Sequence, residues 1–271
     1  MIKQYIRRLL RSLIGLSDTD EHIALYKTFW LNYLAFGVKG VLKCPILVYS
    51  NVRISSVGKI NLHCEIKRGI LTIGHLSSKS QGITKFHNAG TIDLYGPVKI
   101  EGAAIIQNMG HIVFKGYNRV ADGCSLIIRE GLIMGEQSRF GFHCFVMDSD
   151  DHFTIDSETR TVHRFTKPIT IGRYNWIANT TFIKKGVKTP DFLIVASANA
   201  LLTKDYTDLP PYSVIGGCPA KLLKSGLRRI YNRKYEKELL EFFNTYSENT
   251  YTFDDTKISL DYICKQTDDR F

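Results

Sequence analysis

The sequence is short of several things, and each shortage excludes a class of protein. No apolar run approaches the roughly 18 residues that a membrane span needs; the best, Phe29 to Gly37, is brief and interrupted. The basic opening MIKQYIRRLLRSLIG has no uninterrupted apolar centre and no small-residue cleavage site, so it does not read as a secretion signal. Six cysteines (Cys44, Cys64, Cys124, Cys144, Cys218, Cys264) are scattered without a CxxC or other ligand-like pairing. They read as reduced packing residues rather than as a disulfide framework or a zinc site. No two histidines are spaced as a metal-binding pair, and helix-turn-helix, RNP-like and zinc-finger spacings are missing. The expectation from these absences is a cytoplasmic protein with no metal and no nucleic-acid partner.

What is present begins with charge. The chain has 271 residues, 44% of them hydrophobic and 23% charged, and a formal net charge of +10. A surplus of that size favours anionic partners: a nucleotide cofactor, a nucleotide sugar or lipid phosphate, or a membrane surface. Met1 to Leu16 reads as an amphipathic basic helix, with Ile2, Ile6, Leu9, Leu13 and their neighbours on one face and Lys3, Arg7, Arg8 and Arg11 towards the other. Such a helix either packs on its own protein or makes a peripheral contact with the inner membrane surface. A second helical segment follows the acidic SDTDE stretch and runs to about Phe36, and Pro45 closes a helical N-terminal segment, 1–45.

From Ile46 the texture becomes β-rich and takes up a six-residue beat. Ile171, Ile177, Ile183, Thr189, Val195 and Leu201 fall at every sixth position. Neither a helix nor an alternating strand imposes that period. A coil with three flat sides does, because each side contributes one inward aliphatic residue and then turns a corner. Earlier series keep the beat in shifted frames: Ile54, Ile60, Ile66; Leu94, Ile100, Ile106, Ile112; Phe114, Val120, Leu126; Met134, Phe140, Val146. The shifts predict bulges or loops at corners, notably Gly69 to Gly90 and Arg129 to Gly131. A polar stretch, 153–168, predicts a projecting arm. After PPYSVIGGCPAK the pattern predicts a return to helix from Leu222 to Tyr246, within a helical tail, 222–271.

The runs NWIANTTFIKKGV, VASANALLTKDY and PPYSVIGGCPAK resemble the hexapeptide-repeat acyltransferases, and among them are most similar to the acetyltransferases that modify sugars, including those of capsule and O-antigen biosynthesis. The resemblance is specific from about Asp148 to Lys224. It implies a mainly β fold, a left-handed parallel β-helix over 46–221 with a helical N-terminal cap and a helical C-terminal tail. It also implies a homotrimer, acetyl-CoA as co-substrate and a sugar or glycan acceptor.

Acyl transfer from a thioester to an alcohol needs a base, an oxyanion donor and a surface that holds the carrier. His152 closes VMDSDDH just before the arm, and the resemblance makes it the general base. Asp148 or Asp150 is the carboxylate that would orient it, with Asp151 a solvated acid. Trp176 would wall the pantetheine and acceptor channel, and the backbone amide of Asn179 would meet the thioester oxygen. Ala198, Thr203 and Lys204 take the CoA-contacting positions, and Lys221 and Lys224 the basic positions in and after GCPAK. Asn199, Pro190 and Cys218 depart from the family pattern. An O-acetyltransferase in surface-polysaccharide assembly is the expectation; an amino-sugar N-acetyltransferase and a non-catalytic glycan-binding scaffold are the alternatives.

Overall fold

The computed structural model describes residues 12, 22–75, 82–196, 198–254, 256 and 258–265. The expected helix at Met1 to Leu16 lies, apart from Ser12, outside the described residues. The chain divides into two compact units, Met1–Ser225 and Gly226–Phe271.

The first unit opens with helix α1, Leu25–Lys43, later at both ends than the sequence suggests. It stops where Cys44 takes a left-handed conformation (φ 45°) and donates its N–H to Gly40 O, with Pro45 next. The buried side of α1 carries two polar residues beside Leu31, for a reason. Thr28 Oγ1 accepts from Val48 N (3.1 Å), Asn32 Oδ1 accepts from Ile46 N (3.0 Å), and Asn32 Nδ2 donates to Ile46 O (2.7 Å). These bonds satisfy one edge of the strand Ile46–Val48, which would otherwise be an open template for another chain.

From that strand the chain winds as a three-sided parallel β-helix. The first face has nine strands, from Ile46–Val48 to Lys221–Lys224; the second has seven, from Val52–Ser56 to Leu201–Leu202; the third has five, from Lys59–Leu62 to Ile169–Ile171. Each strand pairs with the one a full coil away: Lys85 with Ile105, Ile112 with Leu132 and Leu126 with Val146, twenty positions on, and later Trp176 with Ile194, eighteen on. The aliphatic series are the interior. Leu94, Ile100, Ile106, Ile112, Phe114, Val120, Leu126, Met134, Phe140 and Val146 are all buried, as are Ile171, Ile177, Ile183, Thr189 and Val195. Each such side chain removed from water is worth about 1.5–3 kcal/mol before entropy is counted.

Three expectations need correction. The shifts of frame are not loops at Arg129 to Gly131. They arise because each strand of the third face turns two side chains inward, Ile92 with Leu94, Ile112 with Phe114 and Leu132 with Met134. Leu201 is only half-buried; Ile183 pairs with Leu202, which is the inward residue, because this coil carries one more residue between the two faces. In the earliest series only Ile60 is fully buried, Ile54 and Ile66 being partly exposed in coils made irregular by longer connections.

The corners turn through left-handed residues, usually without glycine. Tyr117, Gln137, His143, Tyr174, Thr180, Phe192, Asn199 and Tyr212 all have φ between 54° and 61°. Such a backbone costs about 1–2 kcal/mol for each L-residue. At one corner the rings recover part of this by stacking on successive coils, Tyr174 on Phe192 at 5.1 Å between centroids. The cysteines fit the packing role: all six are free, and Cys124 and Cys144 fill equivalent tight corners, their thiols donating to Gly141 O (2.9 Å) and Ala178 O (3.1 Å).

The C-terminal helix begins late. Lys221–Lys224 is not helical but a strand antiparallel to Val214–Gly216, where it satisfies backbone groups at the last edge of the first face. Helix α2, Arg233–Thr245, starts only at Asn232, whose Oδ1 accepts from Lys234 N (3.1 Å). It belongs to the second unit together with the short α3, Leu260–Cys264.

Candidate functional site

The predicted site residues fall at two corners of the coil and on the face between other coils. His152 leaves the corner between the second and third faces, at the root of the arm. The arm is a two-legged ribbon held by bridges Ser149 to Thr166 and Ile155 to Val162, and it is exposed over most of its length. At its root Lys167 N donates to Asp148 O and Asp150 N to Phe165 O, both at 2.9 Å. His152 is exposed beyond that root.

The three nearby carboxylates have separate employments. Asp148 is wholly buried, and both its oxygens are occupied: Oδ1 accepts from Arg129 N (2.7 Å), Oδ2 from Glu130 N (2.8 Å) and Gly131 N (2.7 Å). It ties down the corner of the preceding coil and has no oxygen left for His152. Asp150 is turned to the following coil, where Lys185 Nζ lies 2.5 Å and Lys184 Nζ 3.9 Å from its carboxylate. The third carboxylate, Asp151, precedes His152 directly in the chain. It accepts from Arg129 Nε and Ser149 Oγ, both at 2.9 Å, and the Arg129 guanidinium above all holds its carboxyl below the usual range, with His152 adding to the effect. Asp148 and Asp150, the carboxylates expected to orient His152, thus have these other partners. Sequence reading set Asp151 aside as solvated, and only adjacency to His152 could have singled it out.

Below His152 on the same corner come Lys184 and Lys185, then Thr203 and Lys204 one coil further. Lys185 Nζ also reaches Arg164 O (3.4 Å), so this coil grips the arm from beneath. A residue the sequence did not flag, Tyr206, ties Thr203 to Ala220, the residue before the strand that carries Lys221. Its ring is buried; its hydroxyl accepts from Thr203 N and donates to Ala220 O, each at 3.4 Å, and Lys204 Nζ stands 5.6 Å from its centroid. Lys224 lies at the far end of the same strand as Lys221, opposite Val214. The connection into that strand contains a cis Cys218–Pro219 bond.

The second group sits elsewhere. Trp176 lies on the first face between Arg139 and Ile194, exposed outward. Asn179 and Ala198 occupy the corner between the first and second faces on consecutive coils. Asn179 Oδ1 accepts from Phe142 N (2.9 Å), and a Cβ on Gly141 would collide with that side chain and come within 2.8 Å of Asn179 N, so only glycine lets the two corners close up. The Asn179 N–H has no partner among the described residues. One chain thus assembles His152, Lys184, Lys185, Thr203 and Lys204 at one corner, sets Asn179 and Ala198 at the other end of the second face, and carries Trp176 and Lys221 on the first face, Lys221 paired with Gly216. Among the described residues no three His, Cys, Asp or Glu side chains are placed to hold a metal ion.

No protein-family model matches the chain. Solved structures similar to it are acyltransferases. They include the polysialic acid O-acetyltransferase OatWY (17% identity, 73% of this chain and 94% of that one, TM-score 0.43). A second is AntD, an N-acyltransferase from Bacillus cereus in complex with dTDP and 3-hydroxybutyryl-CoA (14%, 75% and 89%, TM-score 0.42). A third is the hexapeptide-repeat-containing acetyltransferase VCA0836 from Vibrio cholerae, complexed with acetyl coenzyme A (21%, 56% and 71%, TM-score 0.30).

Proposed function

We propose that the protein is a cytoplasmic acetyl-CoA-dependent O-acetyltransferase acting on a sugar hydroxyl, in the assembly of a surface polysaccharide. One observation carries the reading: an exposed histidine beside an ionised carboxylate stands on the same corner, one and two coils away, as Lys184, Lys185 and Lys204. A base next to a column of cations suits a reaction between a neutral acceptor and a polyphosphorylated carrier.

In this reading the neutral His152 imidazole takes the proton of the acceptor hydroxyl as its oxygen attacks the thioester carbonyl. The C–O bond forms, the tetrahedral oxyanion is held by a backbone N–H such as that of Asn179, and the C–S bond then breaks to release CoA thiolate, which recovers the proton. Asp151 stabilises the imidazolium while it exists. Lysines suit the phosphates of the carrier as point charges. Because His152 and Asn179 lie on consecutive coils at opposite ends of the second face, we place the working site between copies in a homotrimer, where the corner of one chain meets the face of the next and Trp176 walls the channel.

The test is calorimetry with acetyl-CoA on the wild type and on a Lys204→Glu, Lys221→Glu double variant. Saturable binding that weakens about tenfold or more in the variant supports the reading, since each reversed charge opposes a phosphate. No binding at millimolar acetyl-CoA sinks it. Matched hydroxy and amino acceptors then separate O- from N-acetyl transfer.

A further inference from the structure

Helix α1 carries a second apolar row on its outer side, and this feature is independent of the acyl-transfer reading. A helix lying on a folded coil ordinarily turns its apolar stripe inward and its charges outward. In α1 the buried side carries Leu31, packed in the core, together with Thr28 and Asn32, occupied with the strand edge, while Tyr26, Trp30, Tyr33 and Leu34 face out, with Val38 and Leu42 continuing the row past the break in helical geometry at Gly37. The exposures are large for such residues, 79% for Tyr26, 58% for Tyr33, 68% for Val38 and 74% for Leu42. Single exposed hydrophobics are ordinary; a row of six along one helix marks a surface that something covers.

We infer that the outer face of α1 lies on an anionic lipid surface, parallel to the bilayer plane. Three observations choose that occupant over another protein. The row is headed by Tyr and Trp, the residues whose amphipathic rings settle at the headgroup level. The helix contains no Asp or Glu, and its exposed lysines, Lys39 and Lys43, each sit next to an apolar member of the row. The first eleven residues of the chain add Lys3, Arg7, Arg8 and Arg11 without one acidic side chain, in a protein of net charge +10. In α1, apolar insertion and the attraction of Lys39 and Lys43 to acidic headgroups then act together. No helix among the described residues is long and apolar enough to cross a membrane, so the contact is one of lying on the bilayer.

The experiment is flotation of the full chain with phosphatidylcholine vesicles, with and without about one third phosphatidylglycerol. Emission is followed in a Trp176→Phe background, where Trp30 is the sole tryptophan. The expected result is co-flotation with the anionic vesicles, a blue shift of Trp30, and a loss of partition of about tenfold or more in Trp30→Glu, Leu34→Glu, with circular dichroism and elution volume unchanged. If that variant fails to fold, Tyr26→Ser, Leu34→Ser must show the same loss. Absence of flotation overturns the inference. So does flotation that survives these changes but disappears in Arg7→Gln, Arg8→Gln, Arg11→Gln, which would assign the contact to the upstream segment. A smaller assembly in the α1 variants overturns it as well, because a second copy would then be the occupant.

Discussion

The coils before the arm and those after it are built to different lengths. Between Lys85 and Val146 each turn takes twenty residues, and from Thr170 to Val195 eighteen. The two missing residues come from one corner. From the second face to the third, the wide coil runs Leu126 to Leu132, and the narrow one only Ile183 to Val187. In the wide coils that corner is filled by an inward residue on each turn, Asn88, Asn108, Ile128 and lastly Asp148, all buried. In the narrow coil the position is gone, and Lys184, Lys185 and Gly186 stand there instead. The fold thus exchanges a packed corner for a cationic one immediately after the arm that carries His152. On the proposed reading the wide coils are scaffold, and the arm and narrow coils carry the chemistry.

That division can be broken experimentally. The largest expected effect is in the arm: His152→Ala should lower turnover by about two to four orders of magnitude, while acetyl-CoA affinity and the thermal midpoint stay where they were. Retained turnover removes His152 as the base. Next is the wide-coil core. Leu132→Ala, at a fully buried position, should cost about 2–5 kcal/mol in urea unfolding and leave acetyl-CoA affinity of the folded protein unchanged; a loss of affinity at equal foldedness would erase the line between scaffold and site.

Asp148 sharpens the boundary itself. Its removal in Asp148→Ala strands three backbone amides, Arg129, Glu130 and Gly131, and should destabilise by about 3 kcal/mol. Asp150→Ala, an exposed position, should stay within about 0.5 kcal/mol. Equal effects would contradict the separate roles assigned to these neighbours. The smallest effect is at the end of the narrow coils. Asp205 is held at about 2, first by hydrogen bonds from Thr207 and then by Lys188. A depressed carboxyl adds stability above its ordinary value of 3.8, and that stability fades as pH falls through about 2. Asp205→Asn should therefore melt slightly lower than wild type at neutral pH, with the two curves converging towards pH 2. A gap that widens in acid would reverse the sign.

Much of this was legible in the chain because burial writes itself into spacing. Ile171, Ile177, Ile183 and Val195 recur at six because a flat side with one corner consumes six residues, and the earlier series at Leu94, Phe114 and Met134 obey the same rule. His152 stood out through its place before the arm. Asp148, Asp150 and Asp151 could not be told apart, since three acids within four positions look alike until the corner of another coil claims one, a lysine pair the second and an arginine the third. Tyr206 was invisible for a similar reason: its role is to touch Thr203 and Ala220, which are close only after the coil closes.

The sequence alone therefore determined the architecture that repeats: a β-rich coil with an aliphatic interior, interrupted once by a polar arm, with a positive surface. It did so because hydrophobic periodicity is a local consequence of which side of the backbone meets the core. Only the tertiary structure decided the exceptions. It gave KLLK to a strand rather than a helix because an open sheet edge needed a partner. It left an apolar row of α1 facing outward because Thr28 and Asn32 were needed at the opposite edge. It sorted the acids by their neighbours from other coils. Each of these rests on contacts between residues far apart in the chain, and spacing along the chain carries no record of them.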